Sequence, residues 1–379
     1  MSVRKLDNGK WYAEVYLGKD PITNRKVRKT KTFSKQKDAK DWEREIIQAY
    51  KTGELNIDSN MTISEYLDYW YDTYVLAHTK YNTQRRYKTL INCIKDHLGH
   101  IPLDKLKTPH VDRFYSDLRL EKDSKGNRRY SNSTILKVHK LFNQSIEKSI
   151  AWNLLIKNPV KYATKPQEDE INMEVWNLKQ VNYFLENIKD SDIYNIYYPV
   201  LISVYTGLRA GEVAALKWEN VNLREGSLSV KYNAVEKKGE GVVLETPKTE
   251  KSKAKVMLPD VLTKELKILK REHRKHKLEH GIDLEFVCCW PDGKPYRPTY
   301  LSKAFKHHVE RLQMPYITFH GLRHTHASIL FEIGATSQEI SKRLRHSRVS
   351  TTDDIYIHLK DDIKKSTADL FNQAVENLK

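Results

Sequence analysis

Three short segments of this 379-residue chain carry groups suited to attack on a phosphodiester. Thr206-Gly207-Leu208-Arg209-Ala210-Gly211-Glu212 offers an arginine with a carboxylate one helical turn later. His320-Gly321-Leu322-Arg323-His324-Thr325 offers a second arginine between histidines. The third runs from Leu344-Arg345-His346-Ser347 to Tyr356 and supplies a histidine and a phenol. Attack on a phosphate spreads negative charge over the nonbridging oxygens, so fixed cationic donors supply much of the stabilisation. Arg209 and Arg323 suit that clamp, because a guanidinium presents paired donors to phosphate oxygens and stays charged. Tyr356 is the nucleophile of the set; a free phenol titrates near about 10 and needs a base or a cationic field. Such a set breaks and rejoins a phosphodiester without a metal. The chain shows neither a phosphate-binding Gly-x-x-x-x-Gly-Lys loop nor metal-ligand spacing, so no cofactor is expected.

Composition agrees with a polyanionic partner. The formal net charge is +17, and basic proteins gain nucleic-acid affinity by neutralising phosphates and releasing counterions. The N-terminus, Met1-Ser2-Val3-Arg4-Lys5, has no apolar core of a leader, and the longest apolar run, Tyr197 to Tyr205, is far short of the roughly 20 residues that span a bilayer. No membrane association and a cytoplasmic, nucleoid-associated location are therefore expected. The cysteines are Cys93 and the adjacent pair Cys288-Cys289, an odd count without ligand spacing, which reads as reduced and structural.

These groups must be positioned by a multidomain α+β chain. Residues 1–55 read as a small three-stranded sheet plus helix. Trp11, Ala13, Val15 and Leu17 alternate with Tyr12, Glu14 and Tyr16. Asp20-Pro21-Ile22-Thr23-Asn24-Arg25 then turns the chain into a second run, Lys26 to Phe33. A helix over about 35–51 presses Ala39, Trp42, Ile46 and Tyr50 onto one sheet face, leaving Lys10, Tyr12, Arg28, Thr30 and Thr32 on a basic open face able to enter a DNA groove. After a linker over 52–60, residues 61–165 read as a helical domain that opens on a Thr62/Glu65 capping box, followed by Ile63, Tyr66, Leu67, Trp70 and Tyr74 on one face. Helices follow over about 80–98, 108–121 and 133–150. Cations on two of them, Arg85, Arg86 and Lys88, then Lys137, His139 and Lys140, are candidates to grip a duplex from one side. Residues 174–379 form a mixed, mainly α domain that holds all three reactive segments.

In these three boxes, in their order, the chain resembles the tyrosine recombinases. In layout it is similar to the phage and conjugative-element integrases that carry an N-terminal arm-binding domain. The resemblance implies a site-specific DNA recombinase with Arg209, Lys248, His320, Arg323, His346 and Tyr356 as catalytic residues. His320 is the implied proton acceptor and His346 the third phosphate donor, although the sequence does not separate those roles. The implied leaving-group donor is a hairpin lysine just before a strand over 254–258. Lys248 fits best, with Lys251, Lys253 and Lys255 as competitors. Glu212 supports Arg209 through an ion pair. One departure stands out: where the family commonly has glycine before the third-box histidine, this chain has Arg345, so either the backbone takes ordinary angles or the added cation meets DNA. A terminal apolar stripe, Ile363, Leu370, Phe371, Ala374, Val375 and Leu378, implies a helix exchanged between neighbours in a tetramer. The implied partners are duplex DNA at core and arm sites, with an excisionase or a host DNA-bending protein. A type IB topoisomerase-like relaxing enzyme and a non-catalytic DNA-binding regulator remain as other readings. The intact boxes argue against the regulator.

Overall fold

The computed structural model describes residues 3–19, 26–51, 61–167, 174–191, 195–246 and 255–345, which divide into two units, Met1–Glu170 and Ile171–Lys379. The first unit opens with strands β1 (Val3–Lys5), β2 (Trp11–Lys19) and β3 (Lys26–Phe33), paired antiparallel in chain order. Helix α1 (Gln36–Lys51) covers one face, where the alternating residues Ala13, Val15 and Leu17 are buried and Trp42 and Ile46 pack against Val15 and Leu17. Ala39 is also fully buried; the side chain of Tyr50 lies outside the described ones. The other face sets Tyr12 opposite Thr32, Glu14 opposite Thr30 and Tyr16 opposite Arg28.

The helical part starts where the capping box predicts. The Thr62 side chain accepts from the Glu65 amide, and the Glu65 carboxylate accepts from the Thr62 amide at 2.8 Å. Helix α2 (Ile63–Trp70) continues through a π turn over Tyr71–Val75 into α3 (Leu76–His78), and then come α4 (Tyr81–Leu98), α5 (Thr108–Leu120) and α6 (Asn132–Ala151). Ile63, Tyr66, Leu67 and Trp70 meet Ile94, Phe114 and Phe142 in one core. The Tyr66 hydroxyl donates to the carbonyl of Ser145, which ties α2 to α6 by a polar contact inside that core.

In the second unit the helices are α7 (Leu178–Ile188), α8 (Tyr197–Thr206), α9 (Ala210–Ala214), α10 (Asp260–His280), α11 (Pro298–Arg311), α12 (Gly321–Glu332) and α13 (Ser337–Leu344). Helix α8 is apolar nearly all round, as a central helix must be, and packs on α7, α9, α10 and α12. Strands β4 (Val221–Asn222), β5 (Ser227–Ser229) and β8 (Lys255–Met257) form one antiparallel sheet, and β6 (Asn233–Lys237) and β7 (Gly241–Glu245) form a hairpin whose first strand lies against α9. Trp176 anchors the chain entering this unit: its indole donates to the Pro315 carbonyl at 2.9 Å and its amide to the Thr325 hydroxyl at 3.1 Å. The architecture is the multidomain α+β one expected. The three cysteines are free thiols, and among the described residues no helix is long and apolar enough to cross a membrane.

Candidate active site

The first box is built by the end of α8. Gly207 closes that helix in the left-handed region (φ 69°), and a Cβ there would collide with Leu344 Cδ2 and stand 3.1 Å from His326 Cδ2. Only glycine lets α8 approach α12 and α13 so closely. Ser203 then donates its hydroxyl to the Leu208 carbonyl at 2.9 Å, turning the chain so that Arg209 becomes the extended cap of α9. Glu212 accepts from the Arg209 amide at 3.0 Å and from its Nη1 at 2.9 Å. The same carboxylate thus caps the helix and fixes the direction of the arginine, whose side chain stays 39% exposed and open to a substrate anion.

Arg323 comes from α12 and is almost fully buried. Its Nη1 donates to the Gly207 carbonyl at 2.6 Å and its Nη2 to the Leu344 carbonyl, so the second-box arginine ties the first box to the edge of the third. His320 caps α12, its ring edge-on to that of His324 at 4.9 Å between centroids. Burial, then the nearby His324, Arg323 and Arg209, hold the His320 imidazole down to about 4, with Glu212 opposing. The residue keeps an exposed edge, so solvent tempers the burial contribution and the facing cations carry the argument. A neutral imidazole at pH 7 is able to accept a proton.

Arg345 resolves the departure seen in the sequence against both readings offered for it. The backbone is left-handed (φ 59°, ψ 40°), the geometry that glycine takes freely. The side chain is only 1% exposed and does not face outward toward DNA; its Nη2 meets Glu212 Oε2 at 2.6 Å. Its Nε and Nη1 are buried without a hydrogen-bond partner among the described residues. Burial pushes the Glu212 carboxyl up, but Arg345, then Arg209 and Arg323, outweigh it and hold the group below its ordinary value. Next to it, Arg343 donates Nε to His326 Nε2 at 3.0 Å, Nη2 to the Tyr205 carbonyl at 3.0 Å and Nη1 to the Met257 carbonyl at 3.3 Å, joining α13 to α12, α8 and β8.

Burial, then Arg343, hold His326 down to about 3. A histidine whose folded value lies below its unfolded one contributes stability above about 6.5 and loses it as pH falls toward the folded value. Unfolding midpoints measured from pH 7 to pH 4 are expected to drop in the second unit, with His326 contributing about 2 kcal/mol of the loss. A His326→Gln variant that keeps the full acid sensitivity would rule out this source.

The other expected site residues divide. Lys248, His346 and Tyr356 lie outside the described residues, as do the competitors Lys251 and Lys253 and the terminal apolar stripe. Lys255 is exposed and engaged by Glu225 at 2.6 Å. On the sheet, Lys10 and Thr30 are exposed, Arg4 stacks over Tyr12 at 5.2 Å, and Arg28 is on the open face but paired with Glu14 at 2.6 Å. Arg85, Arg86 and Lys88 are exposed on α4, and Lys137 and Lys140 on α6. His139 must be withdrawn from the DNA-facing set: it is 4% exposed and its Nδ1 shares a 2.9 Å hydrogen bond with the Tyr115 hydroxyl. Its spacing from the buried Ile135, Phe142 and Ile146 puts it on the core side of α6, a signal present in the sequence. Arg343 and His326 were missed because their bonds join segments far apart in the chain.

Comparison with known proteins places this geometry. Three family models match the chain in succession: an arm DNA-binding domain over residues 1–50, the N-terminal SAM-like domain of phage integrases over 62–119, and the phage integrase family over 174–362. The ICEBs1 integrase of Bacillus subtilis (strain 168) is 25% identical over 374 residues, 97% of this chain and 98% of that protein. The integrase of Staphylococcus phage L54a is 24% identical over 333 residues, 80% of this chain and 91% of that protein. Among solved structures, the Tn1549 transposon integrase in complex with a circular intermediate DNA shares the fold with a TM-score of 0.68 at 17% identity, covering 80% of this chain and 99% of that one. A lambda integrase tetramer bound to a Holliday junction matches with a TM-score of 0.55 at 16% identity, covering 92% and 96%. The chain belongs to the tyrosine recombinases of the phage integrase family, enzymes of DNA strand cleavage and exchange.

Proposed function

We propose that this chain integrates and excises a phage or conjugative element by cutting and rejoining duplex DNA through a 3′-phosphotyrosine at Tyr356. The Tyr356 oxygen attacks the phosphorus, the P–O5′ bond breaks, and a 5′-hydroxyl leaves; the same hydroxyl of a partner duplex then attacks the phosphotyrosine and regenerates the phenol. Bond energy stays in the covalent link, so no nucleotide is hydrolysed. Arg209 and Arg323 hold the nonbridging oxygens with His346, neutral His320 takes the phenolic proton, and Lys248 protonates the leaving oxygen. The observation that carries this reading is the Arg209–Glu212 cap beside Arg323: two guanidinium groups from separate boxes, one aimed by a carboxylate and one bonded to the turn that precedes the other.

Core and arm sites of the DNA fall to the helical part of the first unit and to its sheet. Lys10, Tyr12, Arg28 and Thr30 face the arm site, and Arg85, Arg86, Lys88, Lys137 and Lys140 face the core site. A homotetramer linked by exchange of the terminal stripe would complete the assembly in the bacterial cytoplasm, with an excisionase or DNA-bending protein setting direction. Replacing both Arg85 and Arg86 by Ala is expected to lower the slope of log affinity against log salt by roughly 1–2, measured by fluorescence anisotropy on a core duplex. An unchanged slope would remove both from the phosphate contacts.

The deciding experiment incubates the chain with a nicked suicide duplex carrying its core site, alongside Tyr356→Phe, and resolves the products on a denaturing gel. An adduct from the wild type alone supports the reading, and joining to an added second duplex separates recombinase from relaxing enzyme. No adduct from either protein, on a duplex that both bind, overturns it in favour of a DNA-binding regulator.

A further inference from the structure

Arg345 is an odd residue for its place. Its backbone occupies the left-handed region, where an L side chain is strained and glycine is not. Its charge is buried, and among the described residues two of its three guanidinium nitrogens have no hydrogen-bond partner. Each feature disfavours folding, and an apolar filling with glycine at this position would avoid all three. The ion pair with Glu212 at 2.6 Å opposes them. The same carboxylate also accepts from the amide and the Nη1 of Arg209.

We propose that Arg345 is a positioning residue for strand cleavage, which keeps Glu212 an anion and thereby holds the Arg209 guanidinium in its phosphate-binding direction. Among the described residues, the charged and titratable groups facing Glu212 are Arg209 at the cap of its own helix, Arg345 at the end of α13, Arg323 on α12 and the neutral His320 at the start of α12. Helix α8 carries no charged residue, and Glu236 of β6 is taken up by Arg297 at the start of α11. The charge of Arg345 is the largest single contribution opposing the burial of Glu212, followed by the charge of Arg209 and its amide hydrogen bond. Without it, burial favours the neutral carboxylic acid at a higher pH, and a neutral Glu212 no longer attracts Arg209. The device belongs to the assembled second unit, because Arg345 and Glu212 come from opposite ends of its chain and meet only when α13 closes on α9.

The inference rests on the strand-cleavage reading above, and its test keeps the two apart. Single-turnover adduct formation on the nicked core duplex is followed from about pH 5.5 to pH 8.5 for wild type, Arg345→Gly and Arg345→Lys, with duplex affinity measured in parallel. Arg345→Gly is expected to bind the duplex as wild type does and to cleave it more slowly. Its acid limb should move to higher pH by about one unit or more, the displacement that a tenfold change in the Glu212 ionisation equilibrium produces, and should enter the measured range. Arg345→Lys keeps the charge and is expected to keep the wild-type acid limb at a reduced rate. If Arg345→Gly does not fold, the lysine variant decides alone, and an acid limb displaced in it overturns the proposal. A wild-type pH profile in Arg345→Gly, or a uniform loss at every pH in step with lost thermal stability, overturns it too. Absence of a wild-type adduct sinks the cleavage reading and this one together.

Discussion

Arg209→Lys is expected to slow formation of the covalent adduct by about 10²–10³-fold while leaving the unfolding midpoint within about 1 °C of wild type. The reason lies in how Arg209 is held. Its Nη1 is bound to Glu212 at 2.9 Å, so the remaining donors of the planar group point in a direction set before any phosphate arrives. A lysine offers a point charge with freely turning donors, which satisfies Glu212 without presenting a fork to two oxygens. Stability is spared because the side chain is substantially exposed and its backbone amide, which completes the helix cap, is unaffected by the substitution. Single-turnover kinetics on the nicked duplex, paired with a thermal melt, read both quantities. A loss of less than about fivefold would remove Arg209 from the phosphate clamp.

The reverse pattern is expected for Glu212→Ala: the second unit should lose about 3–5 kcal/mol, a fall of roughly 6–20 °C in its midpoint. Glu212 is buried between two guanidinium groups, and among the described residues Nε and Nη1 of Arg345 have no hydrogen-bond partner. Removing the carboxylate leaves an uncompensated buried charge and an uncapped α9, which together rank among the costly single substitutions. Glu212→Gln should cost less, since an amide oxygen still accepts from the Arg209 amide, yet it gives Arg345 no counter-charge. A midpoint for Glu212→Ala close to the wild-type value would show that Arg345 finds a different acceptor, and the picture of Glu212 as the hub of the site would fall.

Much of the fold was legible because its signals are local. The period-two pattern of β2 and the Thr62/Glu65 box needed only neighbours in sequence, and the structure starts its elements there. The first two boxes could be grouped for a different reason: fixed spacing needs no knowledge of packing, and the structure brings Arg209, Glu212 and Arg323 together, while Lys248, His346 and Tyr356 lie outside the described residues. What escaped the sequence is what depends on meeting across distance. Nothing around Arg345 announces that its partner is Glu212, and nothing around Arg343 announces a bond to the Tyr205 carbonyl. His139 is the instructive miss. It was grouped with Lys137 and Lys140 by charge, whereas its helical phase matched Ile135 and Phe142, and phase decides which side of a helix a residue occupies.

The two carbonyl bonds of Arg323 bear on how such a chain can decay. A recombinase that lost cutting but kept its shape would persist as a silent DNA-binding protein. In this protein that path is closed at Arg323, because the same guanidinium fastens Gly207 to Leu344, and its loss would loosen the domain along with the chemistry. Arg209, whose side chain reaches the surface, is not bound in this way. On the proposed chemistry, descendants that have gone quiet yet remain folded should carry a lesion at the exposed Arg209 sooner than at Arg323, whose carbonyl bonds the fold still needs.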